Sequence, residues 1–154
     1  MDYIVVKWLH ILSSTILFGT GTGTAFFMFF TCLSRNLQAT ATVARLVVRA
    51  DWLFTTPTVF IQPLTGFYLV HKAGYALDST WLAWSIALFI VAGACWLPVV
   101  WLQIRMRALA AEAVAAGSDL PPLFWRYFKI WTALGVPAFI AIAVIFYLMV
   151  AKPV

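Results

Sequence analysis

The chain has 154 residues, of which 64% are hydrophobic, 17% aromatic and only 10% charged, whereas soluble domains are nearer half apolar and a quarter charged. This composition excludes a soluble domain and predicts one integral membrane domain, residues 1–154. The net charge of +5 does not indicate nucleic acid as a partner, because the basic residues stand at the ends of apolar segments.

Four apolar segments are long enough to cross a bilayer, whose core of about 30 Å requires roughly 20 helical residues. They lie at about residues 3–31, 52–72, 80–106 and 126–150. Lipid offers no water to satisfy backbone groups, so each segment is predicted to be a helix, and the short connections favour antiparallel neighbours. The predicted fold is an all-α transmembrane four-helix bundle.

The first segment carries a histidine inside its apolar run. His10 lies on the order of 10 Å below the outer end of this helix, and an ionisable side chain at that depth is a functional candidate. Lys7, Ser14 and Gly21 fall near the same helical face and form a small, polar stripe. A neutral imidazole on that stripe can bind a metal or haem iron through one nitrogen while a hydroxyl fixes the other.

Further along the first segment, Gly19 and Gly23 form a Gly-xxx-Gly motif, which is typical of closely packed membrane helices. We expect it to serve packing within the bundle rather than a homo-oligomer interface, although a homo-oligomer stays open. After this segment, Arg45 and Arg49 share one face of a short stretch whose opposite face is apolar. That pattern predicts an amphipathic interfacial helix between the first two membrane helices.

The second segment ends at His71, which antiparallel packing brings to a depth comparable with that of His10. Two histidines on facing helices can hold a haem between them, so His71 is the candidate for a second axial ligand. At about 100° per residue, however, His71 lies roughly 180° from Gln62, the polar residue most expected to face inward. An interfacial position beside Lys72 is the alternative.

The basic residues indicate the orientation of the chain. The first and third connections, with the start of the fourth segment, contain seven of the ten: Arg35, Arg45, Arg49, Arg105, Arg107, Arg126 and Lys129. The positive-inside rule places these in the cytoplasm, and places both termini and residues 73–79 outside it. Both histidines then lie toward the outer face.

Several classes of chemistry lack their motifs. There is no HExxH, no phosphate-binding glycine loop and no pair of intramembrane carboxylates, so hydrolase, nucleotide-driven and proton-pumping functions have no support. Cys32 and Cys95 are far apart and lie at or inside apolar segments, which favours small buried hydrophobes over a disulfide or a zinc site.

Four stretches resemble a bacterial membrane family catalogued as domain of unknown function 2269. They are residues 7–14 (KWLHILSS), 50–57 (ADWLFTTP), 62–66 (QPLTG) and 94–106 (ACWLPVVWLQIRM). This resemblance runs over nearly the whole chain and implies a multi-pass protein of the bacterial inner membrane, without an assigned activity.

A more distant resemblance concerns residues 7–11 (KWLHI). They are similar to the first helix of bacterial four-helix haem proteins related to the membrane protoporphyrinogen oxidases and the copper-resistance membrane domains. In those proteins a histidine early in the first helix is implicated in haem binding. The resemblance implies that His10 is a haem ligand.

We therefore expect a protein that binds haem b near its outer face, with His10 and His71 as axial ligands and Lys7 and Ser14 beside them. Its expected role is redox chemistry or electron transfer, with a quinone, a porphyrinogen or a respiratory protein as partner. A protoporphyrinogen oxidase-like enzyme is one alternative. The others are a metal-ion site and a haem-free accessory subunit or small transporter, in which Ser14 holds His10 and stabilises the bundle.

Overall fold

The computed structural model describes residues 2–153, and it contains no strand in that range. Its helices are α1 (Tyr3–Leu33), α2 (Leu37–Ala50), α3 (Thr56–Ala73), α4 (Thr80–Ala116) and α5 (Pro122–Ala151). A π-helical segment, Asp51–Thr55, joins α2 to α3 without a loop. The chain is thus an all-α bundle of four membrane-embedded helices with a short helix between the first two, as predicted.

Three helices, α1, α4 and α5, are long and apolar enough to cross a membrane, with 31, 37 and 30 residues. The predicted second span, residues 52–72, corresponds to the π-helical segment together with α3. The 18 residues of α3 are more polar than the other three helices because they include Gln62, Thr65 and His71. Gln62 and Thr65 lie where α3 packs against α1, whereas His71 is exposed at the end of α3.

The helix that contains the third predicted span, residues 80–106, continues about ten residues beyond it. Helix α4 continues beyond residue 106 to Ala116 and stops at Gly117, which has a φ of 62°, a conformation that glycine adopts without strain. The added turns are rich in alanine, the strongest helix former, and they bury Ala110 and Ala113. Packing at this end of the bundle therefore carries the helix past its apolar stretch. We call this the inner end, and the opposite end the outer end, after the orientation predicted from the charges.

The helices pack as two antiparallel pairs, α1 with α3 and α4 with α5, and α2 joins the pairs at the inner end. The largest buried cluster lies at this end and includes Met28, Cys32, Met106 and Phe124, each 0% exposed. At the outer end Lys152 donates a hydrogen bond to the Tyr75 hydroxyl at 2.7 Å. The end of α5 and the α3–α4 connection therefore lie at the same end of the bundle.

Helix α2 is amphipathic, as predicted. Its buried side includes Ala44, Val47 and Val48, whereas Arg45 and Arg49 are exposed. The Asn36 side chain caps its first turn by accepting a hydrogen bond from the Ala39 N–H at 3.0 Å. The helix therefore begins at Leu37, and its buried side covers the inner end of the core.

The expected packing of Gly19 and Gly23 inside the bundle is wrong. A Cβ atom added at either position would meet no atom of another helix within 4 Å. The two helix pairs stand apart along this part of α1, so small residues here do not bring backbones together. The neighbouring Gly21 lines the cavity that this separation leaves.

The buried cluster at the inner end predicts which side-chain truncations lower the free energy of unfolding most. Phe124→Ala should lower the free energy of unfolding by about 3 kcal/mol, because it leaves a cavity among fully buried side chains. Phe27→Ala is the matched control, since Phe27 is 64% exposed on the lipid-facing surface. Reversible unfolding in mixed micelles measures both variants, and an equal loss in the two would contradict this placement of the core.

Candidate functional site

The His10 ring lies at the contact between α1 and α3. Its Nδ1 atom is 2.7 Å from the Thr65 hydroxyl oxygen, and this hydrogen bond joins residues 55 positions apart in the chain. The ring is half-buried. A histidine that sequence reasoning placed inside the membrane is thus held by a polar partner on the facing helix.

The hydrogen bonds of Thr65 determine which nitrogen of His10 carries the proton. The Thr65 hydroxyl has a single proton, and the Ile61 carbonyl oxygen lies 2.7 Å from its oxygen. We infer that Thr65 donates to this carbonyl and accepts from His10 Nδ1. His10 Nδ1 is therefore protonated in the neutral ring. The lone pair is then on Nε2, which takes no part in the contact with Thr65.

A second set of contacts holds the backbone of His10. The Gln62 side-chain amide donates to the His10 carbonyl oxygen at 2.8 Å and also lies within hydrogen-bond distance of the Ser13 hydroxyl. Ser13 itself donates to the same carbonyl at 3.1 Å. The His10 carbonyl and the Ser13, Gln62 and Thr65 side chains are therefore paired within the protein, as polar groups inside a membrane require.

Gly66 allows α3 to approach the ring closely. A Cβ at this position would lie 3.3 Å from His10 Cε1, which is tighter than ordinary van der Waals contact. Glycine at a helix crossing permits this approach. The ring is thus fixed by Thr65 on one side and by the bare backbone of Gly66 on another.

The other residues named from the sequence do not join this cluster. Ser14 donates to the Ile11 carbonyl at 2.8 Å rather than to His10, and Ser13 and Thr65 take the role expected of it. Lys7 is exposed, with its ammonium 6.0 Å from the centre of the Tyr3 ring. The structure does not place either residue against the His10 ring.

His71 is also not brought to the His10 ring. It is exposed at the outer end of α3, and it lies roughly 7.5 Å beyond Gly66 along the helix axis at 1.5 Å per residue. Five residues also turn the helix by about 140° from the face that touches His10. Within residues 2–153 there is, in addition, no group of three His, Cys, Asp or Glu residues that could hold a metal ion.

Sequence reasoning missed Ser13, Thr65 and Gly66, although their spacing contained a signal. Ser13 follows His10 by three residues, while Thr65 and Gly66 follow Gln62 by three and four. Residues at those separations share one helix face. Aligning the two faces across an antiparallel pair would have identified the cluster.

The sequence was also compared with known proteins. It matches the family described as predicted integral membrane proteins, DUF2269, over residues 4–153. The chain belongs to this family. No curated protein and no solved structure matches it. Membership in DUF2269 confirms an integral membrane protein, and the matched region includes the complete His10 cluster.

The tautomer argument predicts the outcome of Thr65→Val, which keeps the shape of the side chain and removes the acceptor. In the wild type the ¹⁵N shifts of His10 should show a protonated Nδ1 and an unprotonated Nε2. In Thr65→Val, the ring should lose its preference for a proton on Nδ1, because that nitrogen loses the Thr65 oxygen as its acceptor.

His71 is the only other histidine, so His71→Asn leaves the His10 imidazole as the single histidine ring observed by NMR. All variants are compared in this His71→Asn background. Ser14→Ala is the control, because its hydroxyl bonds to Ile11. A His10 spectrum that Thr65→Val leaves unchanged would contradict the assignment.

Proposed function

We propose that the protein binds b-type haem near the outer face of the bacterial inner membrane, with His10 Nε2 as axial ligand, and that it has a redox or electron-transfer role. The observation that carries this proposal is the hydrogen bond between His10 Nδ1 and Thr65. Histidines that ligate metals usually donate their other N–H to a fixed acceptor, which sets the tautomer and the direction of the ring.

One histidine fits this role better than two. Because His71 lies further out and on another face of α3, the proposal rests on His10 alone. When bound, haem supplies one-electron chemistry. The chain binds and orients the group, and Gly66 with Thr65 restrains the ligand ring.

Lys7 has a supporting role in this proposal. It stands about one helical turn outward of His10, is exposed, and forms no ion pair with residues 2–153. Its ammonium can therefore pair with a carboxylate of the haem at the membrane surface. The electron partner is a quinone, a porphyrinogen or a respiratory protein.

A haem-free accessory subunit is the second candidate, and one observation favours it. Ser13, Gln62 and Thr65 pair the backbone and Nδ1 of His10 without any cofactor. In this alternative the cluster joins α1 to α3, and the polar side chains contribute to helix association, on the order of 0.6 kcal/mol per hydrogen bond. The same cluster would serve a small transporter.

The absorption spectrum of the purified full-length protein distinguishes these functions. We expect a Soret band with reducible α and β bands in the wild type, and less than a tenth of the haem in His10→Ala, because the iron loses its protein ligand. His71→Ala is the matched control and should keep haem. A colourless wild type, or an unchanged spectrum in a folded His10→Ala protein, would favour the accessory function.

The orientation belongs to the same proposal. The basic α2 and the α4–α5 connection face the cytoplasm, and both termini face the periplasm. Reporter fusions to the C-terminus, with a fusion inserted after Gly117 as the opposite-side control, measure the orientation. Activity of the periplasmic reporter is expected only at the C-terminus, and the reverse pattern would refute the assignment.

A further inference from the structure

A cavity of about 560 Å³ lies between α1 and the α4–α5 pair. On α1 its lining begins at Leu17, which is deeper in the bundle than His10, and its volume is within the range of roughly 300–1,000 Å³ typical of small-molecule sites. Phe26, Val136 and Phe139 line it and are also exposed on the surface of the bundle. The cavity therefore opens sideways, and a ligand can reach it from within the bilayer.

Four buried polar side-chain atoms have no hydrogen-bond partner within residues 2–153. They are Asp51 Oδ2, Gln103 Oε1, Trp96 Nε1 and Trp131 Nε1, and all four belong to residues that line this cavity. Asp51, Gln103 and Trp131 are each 5% exposed. Buried polar groups are nearly always paired, so four unpaired atoms on residues that line the same cavity indicate a missing partner.

The chemistry of these atoms restricts the ligand. An indole N–H can only donate a hydrogen bond, whereas the Gln103 amide oxygen and an ionised Asp51 oxygen can only accept. The other Asp51 oxygen already accepts from Thr55 at 3.0 Å. A ligand that pairs with both kinds of atom must donate and accept within one small polar group, and a hydroxyl does both.

Charge excludes two other kinds of membrane-soluble ligand. Among the residues described, no Lys, Arg or His lines the cavity and Asp51 is its only acidic residue, so an anionic headgroup would meet repulsion without a counter-ion. A lipophilic cation would pair with Asp51 and Gln103 but would leave both indole donors unpaired. A neutral hydroxyl matches both kinds of atom, because it can donate its proton to one of the two acceptors while its oxygen accepts from the indoles.

We propose that this cavity binds a neutral, hydroxyl-bearing membrane lipid, with its apolar chain along the aromatic wall and its hydroxyl among Asp51, Gln103 and the two indoles. Quinols and prenyl alcohols share this chemistry. The site is independent of haem at His10, since His10 does not line the cavity.

Isothermal titration of the full-length protein in micelles, under argon, tests the ligand class. The probes are decylubiquinol, decylubiquinone, farnesol and tetraphenylphosphonium, with empty micelles as the blank. Decylubiquinol should bind at least about ten-fold more tightly than decylubiquinone, because the oxidised ring lacks the hydroxyl donors that the buried acceptors require. Farnesol distinguishes the two ligand classes. If it binds as tightly as decylubiquinol, the cavity accepts hydroxyl-bearing lipids in general; if it does not bind, the cavity is specific for quinols.

Two variants locate the site. Trp131→Phe keeps an aromatic ring but removes the donor, and Gln103→Leu removes the acceptor at similar size; each should weaken decylubiquinol binding about ten-fold. Trp101→Phe is the matched control, because Trp101 is 53% exposed and does not line the cavity. If Trp131→Phe fails to fold, Gln103→Leu carries the same comparison.

Three results would overturn the proposal. They are equal affinity for decylubiquinol and decylubiquinone, no loss of affinity in either cavity variant relative to Trp101→Phe, and tetraphenylphosphonium as the tightest probe. The last result would assign the cavity to lipophilic cations held by Asp51. Haem content does not enter any of these measurements, so they stand apart from the test of His10.

Discussion

The absence of water inside a membrane is the constraint on which this structure depends. Each polar group placed within the bundle must find its partner in the protein or in something the protein binds. At His10 the partners come from the protein itself, through Thr65 and Gln62. Around the cavity they do not, and the unpaired atoms there are as informative as the paired ones near His10.

The division into two helix pairs produces both the paired polar groups near His10 and the unpaired polar groups around the cavity. Where α1 meets α3, Gly66 permits a close approach and the polar side chains reach across. Where α1 faces α4 and α5, the pairs stand apart, and Gly21 lines open space. The same helix therefore presents a closed polar contact at its outer end and an open, mainly apolar wall below it.

Composition and segment length were sufficient to predict the bundle. Any helix that crosses the bilayer core must be apolar and about 20 residues long, whichever helices it packs against. The amphipathic α2 was predicted from the helical spacing of Arg45 and Arg49 opposite an apolar face. The length of α4 beyond residue 106 was not predicted, because the span was defined by its apolar run, and the alanine-rich turns that continue the helix lie beyond that run. Ser13, Thr65 and Gly66 were also missed: a single helix face does not reveal its partner face until the crossing point is known.

The π-helical segment controls which polar groups meet. In an unbroken α-helix, Gln62 would follow Asp51 by eleven residues, which corresponds to three full turns and about 20° of rotation. Both side chains would therefore point toward α1. The segment Asp51–Thr55 adds one residue to the helical turn, which swings Asp51 by about 100°, toward Gln103 on α4. The axial distance of roughly 16 Å between Asp51 and Gln62 already separates the carboxylate from the His10 cluster. The extra residue in the backbone spiral decides on which side of the helix the carboxylate lies.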